Sequence, residues 1–217
     1  MGIVFIEENN IFEYVQDMIS DMRIKGKYIK NAKYHHNTGY QNAASICKHG
    51  ILTLLDLNNY GIRYDSKEKL RIMNDIESHA NGNYCISLSV AGMDDLYRNE
   101  NEYDYSSPYL VDFRVTDNIK TNRYAINYGN EFLSTKSIKK EDLRSVDIRL
   151  LELIKNISYL DCSQKSVLKK YNYLRDIALE IKKQKLCIPI REMSDNSIYE
   201  LDLEKLSNQS KMVLKKY

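Results

Sequence analysis

Two stretches, YCISLSV at residues 84–90 and YLVDFRV at 109–115, alternate side chains of opposite character with a period of two. In the first, Ile86, Leu88 and Val90 alternate with Cys85, Ser87 and Ser89. In the second, Tyr109, Val111, Phe113 and Val115 alternate with Leu110, Asp112 and Arg114. Such a pattern belongs to half-buried strands with one face on a core, so the chain is constrained to fold around a sheet. NEFLS at 130–134 is a further short strand. LRSVDIRL at 143–150 is another, with Val146, Ile148 and Leu150 on one face and Leu143 out of phase with them.

Helical periodicity flanks these strands. Residues 9–25 place Ile11, Tyr14, Val15, Met18, Ile19 and Met22 on one stripe, and Gly26 supplies a stop. In residues 40–49, Ala43, Ile46 and Cys47 share a face, and Gly50 suits a left-handed helix end. Ser66 caps a further expected helix with Leu70, Met73 and Ile76 on its stripe, ending before Asn81 and Gly82. The strongest helical signal covers 163–186, with Val167, Leu168, Tyr171, Leu174, Ile177, Ala178 and Ile181 on one side and basic residues on the other. Pro189 argues against a central strand in CIPI, and SIYELDLEKL reads as one more strand or a short helix. The fold class is therefore α+β. Residues 1–150 form a first region that includes the N-terminal helix, and 151–217 a mainly helical extension packed on it.

Composition sets the broad class. The chain has 217 residues, 43% of them apolar and 29% charged, as in soluble globular proteins. No run approaches the roughly 18 apolar residues that span a bilayer. The first residues show neither a basic start nor a long apolar stretch, so a cytoplasmic protein with no membrane association is expected. A net charge of +2 sets up no strong field for nucleic acid. Residues 92–105, however, carry five acids against Arg98, and 163–186 carry seven bases against Asp176 and Glu180. Each of these runs reads as a solvated surface. Cys47, Cys85, Cys162 and Cys187 are scattered, with no CxxC pair or zinc spacing, and are expected as buried thiols rather than a disulfide framework or metal site.

The segment YHHNTGYQNAASICKHGIL at 34–52 is the densest in the chain. Its Tyr34, His36, Thr38, Asn42, Ile46, Gly50 and Ile51 follow the pattern YHxTxxxNxxxIxxxGI. This resembles the first motif of the ADP-ribosyltransferase superfamily, in particular the diphtheria-toxin-like and poly(ADP-ribose)-polymerase-like branch and the DNA-targeting ADP-ribosyltransferase toxins. ISLSV is similar to the hydroxyl-bearing strand that follows in such enzymes. Residues 129–150 are similar to the strand that carries their catalytic glutamate, a turn and the closing strand. The three similarities come in the family's order over 31–150.

The resemblance implies a split antiparallel sheet and an enzyme that cleaves NAD⁺ and transfers ADP-ribose to a macromolecule, with no metal. Glu131 would be the catalytic glutamate, stabilising the positive charge that develops on the ribose. His36 and Thr38 would bind and position the dinucleotide, with Asn42 supporting them and Ser87 holding Glu131. Tyr84 is named as the middle-motif aromatic, with Tyr60, Tyr64 and Tyr105 as rivals. The x-Thr spacing selects His36 over His35. Arginine-modifying members carry a Glu or Gln two residues before the glutamate, and Gly129 stands there. The acceptor is a protein or a nucleic acid, the near-neutral charge tilting slightly toward protein, and roles as toxin, defence or counter-defence factor follow from the resemblance. The alternatives are an NAD⁺ glycohydrolase, with water as acceptor, and an inactive binding module that docks on a partner protein through the C-terminal helix. An RNA 2′-phosphotransferase ranks lower, since the basic residues it needs for phosphate are not located here. No phosphate loop, GxSxG elbow or HExxH is present.

Overall fold

The computed structural model describes residues 2–27, 29–62, 85–90, 110–124, 131–155, 163–194 and 197–215, with the backbone alone at 90, 122–124 and 131. The expected helix from Ser66, the acidic run at 92–105, Tyr84 and Cys162 lie outside these residues. The strands are β1 (Ile3–Ile6), β2 (Arg23–Lys25), β3 (Tyr34–Gly39), β4 (Ile86–Val90), β5 (Leu110–Val115), β6 (Asn122–Tyr124), β7 (Glu131–Ser134), β8 (Leu143–Ile148), β9 (Ile190–Ser194), β10 (Ser197–Leu201) and β11 (Lys211–Leu214). The α-helices are α1 (Ile11–Asp21), α2 (Tyr40–His49), α3 (Leu54–Asn59), α4 (Leu150–Lys155), α5 (Gln164–Lys183) and α6 (Leu203–Asn208).

Nine strands form one sheet in the order β2-β10-β9-β8-β5-β3-β4-β7-β6. Its neighbours are antiparallel except β8 and β9, which run parallel. The fold is thus mixed α and β around a mostly antiparallel sheet. β1 and β11 pair in parallel as a separate two-stranded sheet, joining the two ends of the described chain.

The period-two pattern sorts this sheet into two faces. Val111, Phe113 and Val115 of β5, Leu88 of β4, Val146 and Ile148 of β8 and Ile190 of β9 are buried on one face and share a core with α1, α2, α4 and α5. The apolar stripe of α5 is spent inside this core, where the helix packs along α2, α1 and α6. Arg175 leaves the basic run of that helix: it is buried, and its Nε donates to the Gln209 carbonyl at 2.7 Å. Lys165, Lys169, Lys182, Lys183 and Lys185 do lie on the surface.

Several expectations are corrected. The N-terminal helix ends at Asp21 rather than 25, because Arg23–Lys25 pairs with Leu201–Tyr199 as an edge strand. Only long-range pairing makes a strand of three residues worthwhile, so local periodicity does not reveal it. CIPI leads into a central strand after all. Pro189 stops one residue short of β9, where its missing N–H is harmless and its carbonyl accepts from Val146 N at 3.0 Å. SIYELDLEKL supplies both a strand and a helix. The sheet therefore runs across the boundary placed at 150, with β9 and β10 of the later segment between β8 and β2. The cysteines are not uniformly buried: Cys47 is, Cys85 is half-buried and Cys187 is exposed. Burial pushes the Cys47 thiol up to about 12, with the charge of Glu180 adding to the effect.

The phase break at Leu143 is a β-bulge. Arg114 pairs with Ser145 but Val115 pairs with Leu143, so Arg144 is the extra residue and Leu143 turns into the core. Gly50 ends α2 at φ 84°, and a Cβ there would lie 2.1 Å from the Ile138 carbonyl oxygen. The bridge between Ile51 and Ile138 depends on this close approach.

Helix α5 ends with Leu186 N–H donating to the Ile181 carbonyl at 3.0 Å and Lys185 N–H to the Lys182 carbonyl at 3.1 Å. This two-bond closure normally uses glycine at the left-handed position, but here Lys185 occupies it at φ 54°. Lys185→Gly is expected to raise the unfolding free energy by about 1 kcal/mol, since relief of the left-handed strain outweighs the added entropy of the unfolded chain. Chemical denaturation of the two proteins side by side checks this.

Candidate functional site

β3 lies between β5 and β4, and its two ladders differ in length. Six pairs join it to β5, from Tyr34↔Val115 to Gly39↔Leu110, but only Tyr34↔Val90 and His35↔Ser89 join it to β4. Past His35 the β3–β4 pairing stops, and the side chain of His36 takes up a β4 backbone group. Its Nδ1 donates to the Ser87 carbonyl at 3.0 Å. Burial lowers the pKa of His36, outweighing the Ser87 hydrogen bond and the charge of Asp112, which raise it. The ring is therefore neutral near pH 7, with Nδ1 carrying the proton and Nε2 left as an acceptor.

Thr38 follows His36 on the same face of β3, and the chain turns into α2 immediately after Gly39. Thr38 does not cap the helix. Instead its Oγ1 accepts from Nδ2 of Asn42, in the first turn of α2, at 3.3 Å. His36, Thr38 and Asn42 are all half-buried, so this corner is partly open. Below it, Tyr34 meets Phe132 of β7 edge-on, with ring centroids 5.5 Å apart. Four of the residues singled out in the sequence thus form two separate hydrogen-bonded pairs along β3, His36 with the Ser87 carbonyl and Thr38 with Asn42.

Glu131 opens β7, two strands from β3. Its register partners are Ser89 on one side and Tyr124 on the other, whereas Ser87 pairs with Leu133. The direct cross-strand neighbour of Glu131 is therefore Ser89 rather than Ser87. Ser89 in turn pairs with His35, so one register row runs His35, Ser89, Glu131, Tyr124. His36 belongs to the next row and the opposite side of the pleat.

Sequence periodicity does not reveal what the other face of the sheet holds. Asp112, Arg114, Asp147 and Arg191, on the polar parity of β5, β8 and β9, are all buried. His35 Nδ1 lies 3.1 Å from Asp112 Oδ1, and Arg114 Nε lies 3.9 Å from Asp112 Oδ2 and 3.2 Å from Asp147 Oδ2. Arg191 grips Asp147 with two nitrogens, Nε at 2.7 Å from Oδ1 and Nη2 on Oδ2. Burial alone raises the pKa of Asp147, but the charge and hydrogen bond of Arg191, followed by the charge of Arg114, bring it below the ordinary carboxylate value. The β5–β8 register explains the cluster, since it sets Asp112 opposite Asp147 and like charges at such a position require cations beside them, but that pairing is not visible in the sequence.

On the apolar face, Glu192 of β9 is fully buried. Its carboxylate accepts from the backbone N–H groups of Leu150 at 3.3 Å and Leu151 at 3.0 Å, at the start of α4. Burial pushes its pKa up to about 8 in spite of these bonds and the charge of Arg23. Tyr40, which opens α2, is buried too, and burial and then the charge of Glu192 raise its pKa. Among the described residues, no group of three or more His, Cys, Asp or Glu is placed to hold a metal ion, and no helix is long and apolar enough to cross a membrane.

Comparison of this chain with protein families, curated proteins and solved structures gives no match.

Glu192 makes stability depend on pH. Its carboxyl is raised from the ordinary 4.5 to about 8 in the folded chain. Between those values the folded state keeps a proton that the unfolded chain has released. Stability from this group is full below about pH 4.5 and falls as pH rises through 8, by up to about 1.4 kcal/mol per unit. Glu192→Gln is expected to flatten that fall, as read from urea midpoints measured from pH 5 to 9.

Proposed function

We propose that this chain is an NAD⁺-dependent ADP-ribosyltransferase acting on a macromolecular acceptor, with a protein slightly favoured over a nucleic acid. The observation that carries this reading is the corner at the end of β3. His36 and Thr38, two residues apart on a central strand, run directly into a helix whose Asn42 is bonded to Thr38. These are the residues to which the motif assigns dinucleotide binding. The split sheet that the resemblance implies has only a partial counterpart, a β3–β4 ladder of two pairs within one nine-stranded sheet.

The chemistry follows from the residue types. The bond from ribose C1′ to the nicotinamide nitrogen breaks, nicotinamide leaves as a neutral ring, and positive charge spreads over C1′ and the ring oxygen. The Glu131 carboxylate opposes that charge, which is the kind of interaction worth most where water is excluded. A neutral His36 accepts a hydrogen bond from a hydroxyl of the dinucleotide through Nε2, while its Nδ1 is anchored on the Ser87 carbonyl. Thr38, oriented by Asn42, offers its hydroxyl proton to the ligand. The acceptor's nucleophilic atom then bonds to C1′ and loses its proton to solvent or a base. A docking role through the C-terminal helix has less support, because the apolar face of α5 is already covered by α1, α2 and α6.

The deciding experiment is nicotinamide release from NAD⁺ by wild type and by Glu131→Gln, with and without cell lysate as a source of acceptors. Release is expected to rise with lysate and to fall by on the order of 10²- to 10³-fold in the variant. Release that ignores lysate would mean hydrolysis rather than transfer. No release, with no binding of NAD⁺, would overturn the reading.

A further inference from the structure

The two-stranded ribbon of β1 and β11 has one open edge. Lys211 N–H donates to the Gly2 carbonyl at 3.2 Å and Lys215 N–H to the Ile6 carbonyl at 2.9 Å. Backbone groups alternate sides along a strand, so Gly2, Val4 and Ile6 turn theirs toward β11. The N–H and C=O groups of Ile3 and Phe5 therefore point away from it. The far edge of β11 is closed by a side chain. Asn172 of α5 donates from Nδ2 to the Met212 carbonyl at 2.9 Å, and its Oδ1 accepts from Met212 N–H at 3.0 Å. Among the described residues, no such side chain serves Ile3 or Phe5.

The same two residues carry exposed apolar side chains. Ile3 is 59% exposed and Phe5 65%, beside the half-buried Val213, whereas Val4, Ile6, Met212 and Leu214 pack on the core. Soluble proteins blunt an edge of this kind with a lysine, a proline or a bulge, and β1 has none of them. The residues whose backbone is free are thus also those whose apolar side chains face water.

That coincidence makes the edge complementary to itself. When a second β1 is laid against it in antiparallel, Ile3 faces Phe5 of the other copy, Phe5 faces its Ile3, and the two Val4 residues meet on the two-fold axis. Each Ile3–Phe5 pair then exchanges two backbone hydrogen bonds, and two aromatic and two aliphatic side chains leave water together. Charge favours the same direction. Lys211 stands beside Ile3 at one end of the ribbon, and Glu7 and Glu8 follow Ile6 at the other, partly offset by Lys215 at 3.4 Å and Lys165 at 3.6 Å. Antiparallel pairing turns the acids of each copy toward Lys211 of the other, whereas parallel pairing would set acids beside acids.

We infer that two copies of this chain associate at this edge, β1 pairing with β1 across a two-fold axis to make a four-stranded sheet. Four residues a side make a small interface, so the dimer forms with rising concentration rather than permanently. Dimerisation here does not depend on NAD⁺ binding at β3.

Sedimentation velocity of the full chain, from about 5 to about 500 µM, is expected to show monomer passing to dimer with a dissociation constant on the order of 10–100 µM. Ile3→Pro removes an N–H that β11 does not use, and Phe5→Lys sets a charge against an apolar side chain. Each is expected to weaken the dimer at least about tenfold and to leave the thermal transition of the monomer close to that of wild type. A mixture of Ile3→Lys with Phe5→Glu is expected to regain the dimer, since this register sets residue 3 of one copy against residue 5 of the other. A wild type that stays monomeric at about 500 µM, leaving the edge to some other strand, overturns the inference. So does a dimer that neither Ile3→Pro nor Phe5→Lys weakens. The wild-type series needs no variant, so it can overturn the inference even where a substituted chain does not fold.

Discussion

The grip of Arg191 and Arg114 on Asp147 is the contact on which the rest of the sheet depends. Asp147 sits on β8 near the middle of nine strands and is almost wholly buried. Arg191 reaches it from β9 and Arg114 from β5, and Arg114 leads on to Asp112 and His35 on β3. Such a network adds little net stability, because desolvating the charges offsets most of their attraction. Losing one member, however, strands its partners and costs about 3–5 kcal/mol. Its larger effect is on specificity. A slip of one residue in β8 or β9 would drive Asp147 or Arg191 into the apolar face, so the ion pair admits a single register. The same contact ties the C-terminal strands to the strand that bears the His-x-Thr motif, and this is why the segment after 150 is part of the sheet rather than an appendage.

What the sequence makes legible follows from the reach of each signal. Alternation in ISLSV and LVDFRV identifies β4 and β5, and the stripe of 163–186 identifies α5 to within a residue or two at its start. Those patterns are local, and local structure obeys them. Alternation reveals which residues share a face and is silent on whether that face meets water. It therefore puts Asp112 and Arg114 on the outer side of a half-buried strand, when both sides are buried. The pairings of β2 with β10 and of β1 with β11 join opposite ends of the chain, and no window of ten residues contains them. Leu143 is instructive in the other direction. Its phase error is visible in the sequence, and the bulge opposite Val115 is its structural meaning.

At the candidate site, the legible part is the set His36, Thr38 and Asn42, because their spacing is the spacing of a strand end and a first helical turn. Ser87 joins them through its carbonyl, a backbone role that no side-chain argument could single out. Glu131 rests on similarity alone, and its placement two strands away depends on β4 intervening. The corner is built on rigid elements: β3 is fixed by six pairs to β5, and α2 is fixed by Gly50 and by its packing against α5. Positioning of this kind contributes to catalysis only if the groups do not have to move into place, and each hydrogen bond here is made before any ligand arrives.

The pair His35 and His36 is where the two faces of the sheet meet in one dipeptide. Adjacent residues on a strand point to opposite faces, so a histidine doublet in β3 cannot be redundant. One ring goes to the Ser87 carbonyl, where the β4 ladder has ended, and the other to Asp112 on the charged face. In both rings Nδ1 makes the contact, to a backbone carbonyl in one case and to a carboxylate in the other. Exchanging the rings would take only a one-residue slip of β3. That slip would also move Tyr34 off Phe132 and out of the core, and carry its ring to the face held by Asp112 and Arg114. The apolar core and the Asp147 network therefore act together on β3, the core by the aromatic side chain it keeps and the charges by the imidazole they require.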